Sequence, residues 1–212
     1  MDVVELDRIA VTEAARVVGL ARGGDGGDWG RDTPCAGWDL RRLVAHMTAQ
    51  HHGFAAAARG EGGEPRYWRE SQEVADPARA HRAAADEVLA AFAEPGAVGR
   101  EFVLPELGGG FSGRTAIAFH FVDYVVHAWD VAATLGVPLR LLDEVLVAAR
   151  AVARRVPTDP AGRGPGFAFA QALEVPEGAG PLEEVLRLLG RDPRAWSGTG
   201  VRRPLSEPQM LL

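Results

Sequence analysis

Lysine is absent from this chain of 212 residues, so its side-chain cations are arginine and, when protonated, histidine. We read that absence as codon bias rather than chemistry. The charge balance carries more information: 23 basic residues against 29 acidic ones leave a formal net charge of -6. A chain of that sign lacks the basic face that neutralises phosphates, which excludes a nucleic-acid partner. Cysteine occurs once, at Cys35, which excludes an internal disulfide and a thiolate-rich zinc cluster. Any metal site must then be built from histidine and carboxylates. No apolar run approaches the roughly 18 residues of a membrane span, and the opening MDVVELDRIA lacks the basic-then-apolar plan of a secretory leader. A cytoplasmic protein with no membrane partner is the expectation.

What is present is ordinary globular composition, 47% hydrophobic and 25% charged, in a length suited to one domain with a well-buried core. Apolar residues recur at helical spacing over residues 6–20 (Leu6, Ile9, Ala10, Ala14, Val17, Val18), and the glycine-rich GGDGGDWG ends that helix. In TPCAGWDLRRLVAHM, Asp39 is placed to cap a second helix over residues 40–59, with Trp38 and Leu43 as its hydrophobic staple. An alanine-rich third helix covers residues 77–92. EFVLPELGGG is a short strand or an extended loop leading to a fourth helix over residues 113–135, stopped by Gly136 and Pro138. A fifth helix over 141–156 and a short sixth in PLEEVLRLLGRDP, with its own glycine stop, precede a wrapping tail. With no repeat and no run of strands, the pattern predicts an all-α helical bundle. Residues 1–156 would form the bundle and 157–212 an extension packed on it.

The fourth helix carries the chemistry. Between Thr115 and Leu139 its only formally charged residues are Asp123 and Asp130, so it should be buried. His120, Asp123, His127, Asp130 and Thr134 follow one another at steps of three or four and share a face. A solvent-facing stripe would hold long Arg or Glu side chains; this one holds short coordinating groups. A carboxylate facing inward must be protonated, paired or bound to a metal. Asp123 and His127, at i and i+4, can converge on one ion but need a third ligand from another helix. His46, near the middle of the second helix among Leu43, Val44 and Met47, is either that ligand or a core histidine with a hydrogen-bonded neighbour. His51 and His52 are expected to be exposed, His81 is assigned to the surface, and Cys35 is a small buried residue where the second helix begins. His120 is a candidate acid or base, and Asp130 a candidate to orient His127.

TPCAGWDLRRLVAHM and FHFVDYVVHAWDVAATLG together resemble the mycothiol-dependent maleylpyruvate isomerase type of metal-binding domain, within the wider DinB-like group of helical bundles. The closing LEVPEGAGPLEEVLRLLGRDP resembles the tail of one subgroup. The resemblance implies a four-helix bundle holding a divalent ion, usually zinc, on His46, Asp123 and His127. Asp stands at the second ligand position, where the isomerase has Glu and many relatives have His. The isomerase's additional C-terminal module, with its substrate-binding Arg, is not recognisable in residues 157–212.

Three protein ligands leave an open coordination position, as in catalytic sites. The implied activity is transfer of a thiol, mycothiol, to a small electrophile, or a thiol-assisted isomerisation, by a monomer or homodimer. Two alternatives stand beside it: a metal-independent protein binding or converting a small hydrophobic molecule in the bundle pocket, and a metal-water hydrolase.

Overall fold

Side-chain caps start the long helices of this computed structural model, which describes residues 1–24, 26–164 and 169–196. Asp2 accepts a hydrogen bond from the Glu5 amide to open α1 (Val3–Val18), and Asp39 does the same from Arg42 for α2 (Leu40–Ala58). Asp76 caps α3 (Pro77–Phe92), whose first residue is a proline with no amide hydrogen to satisfy, and Ser112 caps α4 (Gly113–Leu135). Gly136, at φ 67°, ends α4 in the left-handed conformation that lets its last carbonyls be satisfied. α5 (Asp143–Ala153) and α6 (Pro181–Leu188) complete the α-helices among the described residues, with short 3-10 turns between them. The tail expected beyond residue 196 lies outside them.

The segment expected as a strand or extended loop is a two-stranded antiparallel hairpin, β1 (Glu101–Leu104) and β2 (Gly109–Ser112), with Phe102 opposite Phe111. Phe102 and Leu104 alternate inward and are fully buried with Phe92 and Ile117, so the hairpin closes one end of the bundle. Otherwise the regular structure among the described residues is helical.

α1 packs along α4 and α2 along α3, with α1 also touching α3 and α2 touching α4. The four long helices therefore form a ring in which α1 and α2, consecutive in the chain, face each other diagonally. The core is built from alanine and valine at close helix contacts, with Leu40, Leu43, Met47, Phe121 and Tyr124 filling the wider gaps. Val185, Leu186 and Leu189, at the end of α6, are buried in the same cluster as α1, α2 and α4. No described helix is long and apolar enough to cross a membrane.

Candidate metal centre

The stripe on α4 turns inward: His120, His127, Asp130 and Thr134 are buried, and Asp123 is partly exposed. Packing against different helices divides it into two clusters with different chemistry.

The first lies between α2 and α4. One ligand atom from each of His46, Asp123 and His127 falls within 4.8 Å of the others. The His46 and His127 rings meet edge to face, with centroids 5.6 Å apart, and His127 Nε2 is 3.4 Å from Asp123 Oδ1. Each imidazole is held from behind by a carboxylate. His127 Nδ1 is 3.0 Å from Asp130 Oδ2, and His46 Nδ1 is 2.9 Å from Glu70 Oε1. These bonds leave Nε2 of both rings for a ligand's role, the arrangement of metal-binding histidines whose other N–H is given to a carboxylate. Two imidazoles and one carboxylate form a donor set suited to zinc and other first-row divalent ions. Side-chain exposures of 18% for His46 and 29% for Asp123 keep the cluster accessible. Trp38, with its ring centroid 5.0 Å from that of His46, forms one wall.

The electrostatics follow from burial among charges. Burial opposes a positive charge on His127, but Asp123 and Asp130 outweigh it and raise its pKa. Burial likewise opposes a charge on Asp130, and Arg191 with His127 reverses the direction, so its carboxyl is held below the ordinary range. The hydrogen bond from His46 lowers Glu70.

Among the described residues Cys35, His127 and Asp130 form a second set close enough to share an ion. Two facts weigh against it. Asp130 Oδ2 is already 3.2 Å from Arg191 Nη2 and 3.2 Å from Cys35 Sγ. Burial and the adjacent carboxylate push the Cys35 thiol up, which disfavours the thiolate that a ligand or nucleophile requires. Cys35 is a neutral donor at the head of α2, held by a turn in which its amide meets Thr33 Oγ1 at 3.2 Å.

The second cluster contains His120, which does not join the first. Its ring is fully buried, with Nδ1 2.6 Å from Asp7 Oδ1 on α1 and Nε2 3.1 Å from His51 Nδ1 on α2. With both nitrogens engaged, His120 offers no free nitrogen to a substrate, which corrects its expected place as an acid or base beside the ligands. His51 stacks on Tyr124 with centroids 4.1 Å apart, and His81 lies 4.9 Å beyond it. The expected exposure of His51 and His81 is overturned: both are fully buried, because α2 and α3 pack against each other along these residues. Burial depresses the pKa of both, that of His81 to about 3, so they are neutral polar core groups. His52 is half-exposed and pairs with Glu87 at 2.8 Å.

Glu70, Asp7 and Arg191 were not visible as partners in the sequence. Glu70 lies in an irregular segment with no periodicity, and Asp7 reads as an ordinary polar residue of an amphipathic helix. Arg191 follows a glycine stop that was legible, but its target on α4 was not.

The sequence profile described as the mycothiol maleylpyruvate isomerase N-terminal domain matches residues 10–132. Two uncharacterised proteins of Mycobacterium tuberculosis, from strains CDC 1551 and H37Rv, are each 32% identical over 171 residues, 78% of this chain and 86% of theirs. Crystal structures of the mycothiol-dependent maleylpyruvate isomerase superpose with TM-scores of 0.50 and, for a histidine-to-alanine variant, 0.53, at 16% and 15% identity. These matches cover 70% of this chain and 66% of the isomerase chain, so this chain spans just under two thirds of that enzyme. At that identity the likeness establishes the shared all-α, DinB-like bundle fold. With more than half of its length matched by the profile, this chain belongs to the mycothiol maleylpyruvate isomerase N-terminal domain family.

Proposed function

We propose that this protein is a divalent-metal enzyme, with zinc as the metal, that uses mycothiol to attack a small electrophilic metabolite, transferring the thiol to it or isomerising it through a reversible thiol adduct. The observation that carries this reading is the convergence of His46, Asp123 and His127 within 4.8 Å, with both imidazoles braced by carboxylates. A divalent ion held by these residues supplies a Lewis acid that lowers the pKa of a thiol brought to it.

The chain's own residues do the rest. Glu70 and Asp130 fix the tautomers of the two imidazoles, so that both present Nε2. Asp123 brings a negative charge that offsets that of the cation and tunes its acidity. Trp38 shields one side of the cluster from water, with the Arg42 guanidinium 4.7 Å from its ring. Cys35, kept protonated by burial and by Asp130, leaves the role of nucleophile to an external thiol.

Metal content measured by mass spectrometry tests the site: about one divalent ion per chain is expected in the purified protein, and its loss in His46→Ala and His127→Ala. Consumption of mycothiol with a panel of small electrophiles then tests the reaction. A second reading, a metal-independent protein for a small apolar ligand, is favoured by a groove of about 450 Å³ between the end of α4 and the C-terminal segment, lined by Trp129, Val137, Leu139, Leu182 and Trp196. Failure to take up zinc, nickel or manganese would sink the metal reading and direct attention to that groove.

A further inference from the structure

The C-terminal segment reaches the centre at one point. α6 ends in a Schellman turn: the Gly190 amide bonds to Arg187 O at 3.1 Å and the Arg191 amide to Leu186 O at 2.8 Å, with Gly190 at φ 81°. The turn sends the Arg191 side chain inward beneath α4. There Nη2 lies 3.2 Å from both Asp130 Oδ2 and Cys35 Sγ, and Nη1 is 2.9 Å from Leu189 O. The same Asp130 oxygen is the one that meets His127 Nδ1.

We propose that Arg191 is a positioning residue of the metal centre, acting through Asp130 to hold His127 in the orientation and tautomer that present Nε2. The proposal rests on the metal reading above. A carboxylate with no exposed side-chain surface needs a cation within reach. Arg191 supplies that counter-charge with a group that cannot lose its proton, and its contact fixes Oδ2 at the point that meets His127 Nδ1. Oδ2 thereby receives donors from Arg191, Cys35 and His127, which come from the C-terminal segment, the loop before α2 and α4 itself. The segment after the bundle thus becomes part of the centre rather than a cover over the core.

The experiment pairs zinc affinity, by competition with a chromophoric chelator, with the tautomer of His127 from nitrogen-15 NMR on the metal-free protein. Wild type, Arg191→Met and Arg191→Gln are compared, with circular dichroism reporting folding. The wild type should show His127 protonated at Nδ1. Arg191→Met, which keeps length and removes charge and donors, should bind zinc 10- to 100-fold more weakly, the usual cost of removing a group that orients a ligand, and lose the single Nδ1–H tautomer. Arg191→Gln retains a donor and should weaken binding less. A purely structural arginine would lower the melting temperature and leave both readouts unmoved, and that result overturns the proposal. If both variants fail to fold, the wild-type spectrum still decides, since a ring protonated on Nε2 and bare on Nδ1 is incompatible with the proposed arrangement. Should the wild type take up no zinc at all, the metal reading fails, while the tautomer comparison still reports whether Arg191 controls His127.

Discussion

Asp130 Oδ2 lies 3.0 Å from Nδ1 of His127, one turn back on the same helix, and this contact decides which nitrogen of that imidazole faces Asp123. Glu70 does the same for His46 from a segment outside the bundle. The candidate centre is therefore a set of five side chains, three that converge and two acidic braces behind the imidazoles.

Glu70 gives the first prediction. Its carboxylate is the hydrogen-bond acceptor for His46 Nδ1, and Glu70→Ala should weaken zinc binding about 10-fold or more. Glu70→Gln, whose side-chain carbonyl still accepts that bond, should cost only a few-fold. Equal affinities for the two variants would show that Glu70 does not brace His46.

Asp7 and His120 form a buried pair with no route to solvent. Removing one partner leaves a polar group stranded in the core, so Asp7→Ala should lower unfolding free energy by roughly 3 kcal/mol or more. Metal content should be retained in the folded fraction. Urea denaturation beside metal analysis separates this structural role from one in the centre.

Acid sensitivity is predicted at Asp28. Hydrogen bonds from the Arg22 side chain and amide, and from Arg31, lower its pKa from 3.8 to about 2. Because the folded value lies below the unfolded one, the stabilisation is complete above about pH 4 and disappears as pH falls toward 2. Arg22 is largely in solvent, so the contribution is on the order of 1 kcal/mol rather than the full shift. Asp28→Asn should be less stable than wild type at pH 7, and the gap should close in denaturant titrations at pH 2.

Gly190 is the hinge on which Arg191 turns inward. A Cβ there would lie 2.6 Å from that of Ala170, and the φ of 81° disfavours any L side chain. Gly190→Ala should cost about 1–3 kcal/mol, a fall in Tm of several degrees. It should also weaken zinc binding by displacing Arg191. A lower Tm with unchanged affinity would separate the turn from the centre.

Much of the architecture could be read from local pattern. The bounds of α3 and α4 follow from Pro77, Phe92, Gly113 and the Gly136 stop, and α2 from its Asp39 cap. α5 is shorter than its apolar pattern suggested, beginning at Asp143, because Leu141 and Leu142 lie in the extended approach to the helix. The stripe on α4 was legible as a spacing of short polar groups in an apolar helix.

Its division into two clusters was not legible. Asp7 is 113 residues from His120 and Arg191 is 61 from Asp130, so no window of helical periodicity contains either pair. By itself the sequence determined where the helices start and stop and which side chains share a face, because caps, glycine stops and the 3.6-residue period act within a few residues. Only the tertiary structure decided what those faces meet. The chemistry of a buried histidine depends on the group opposite it: beside Glu70, Asp123 and Asp130 it becomes a candidate ligand, and between Asp7 and His51 a core hydrogen-bond relay. That choice rests on the pairing of α1 with α4 and of α2 with α3, which is settled by packing across the whole bundle.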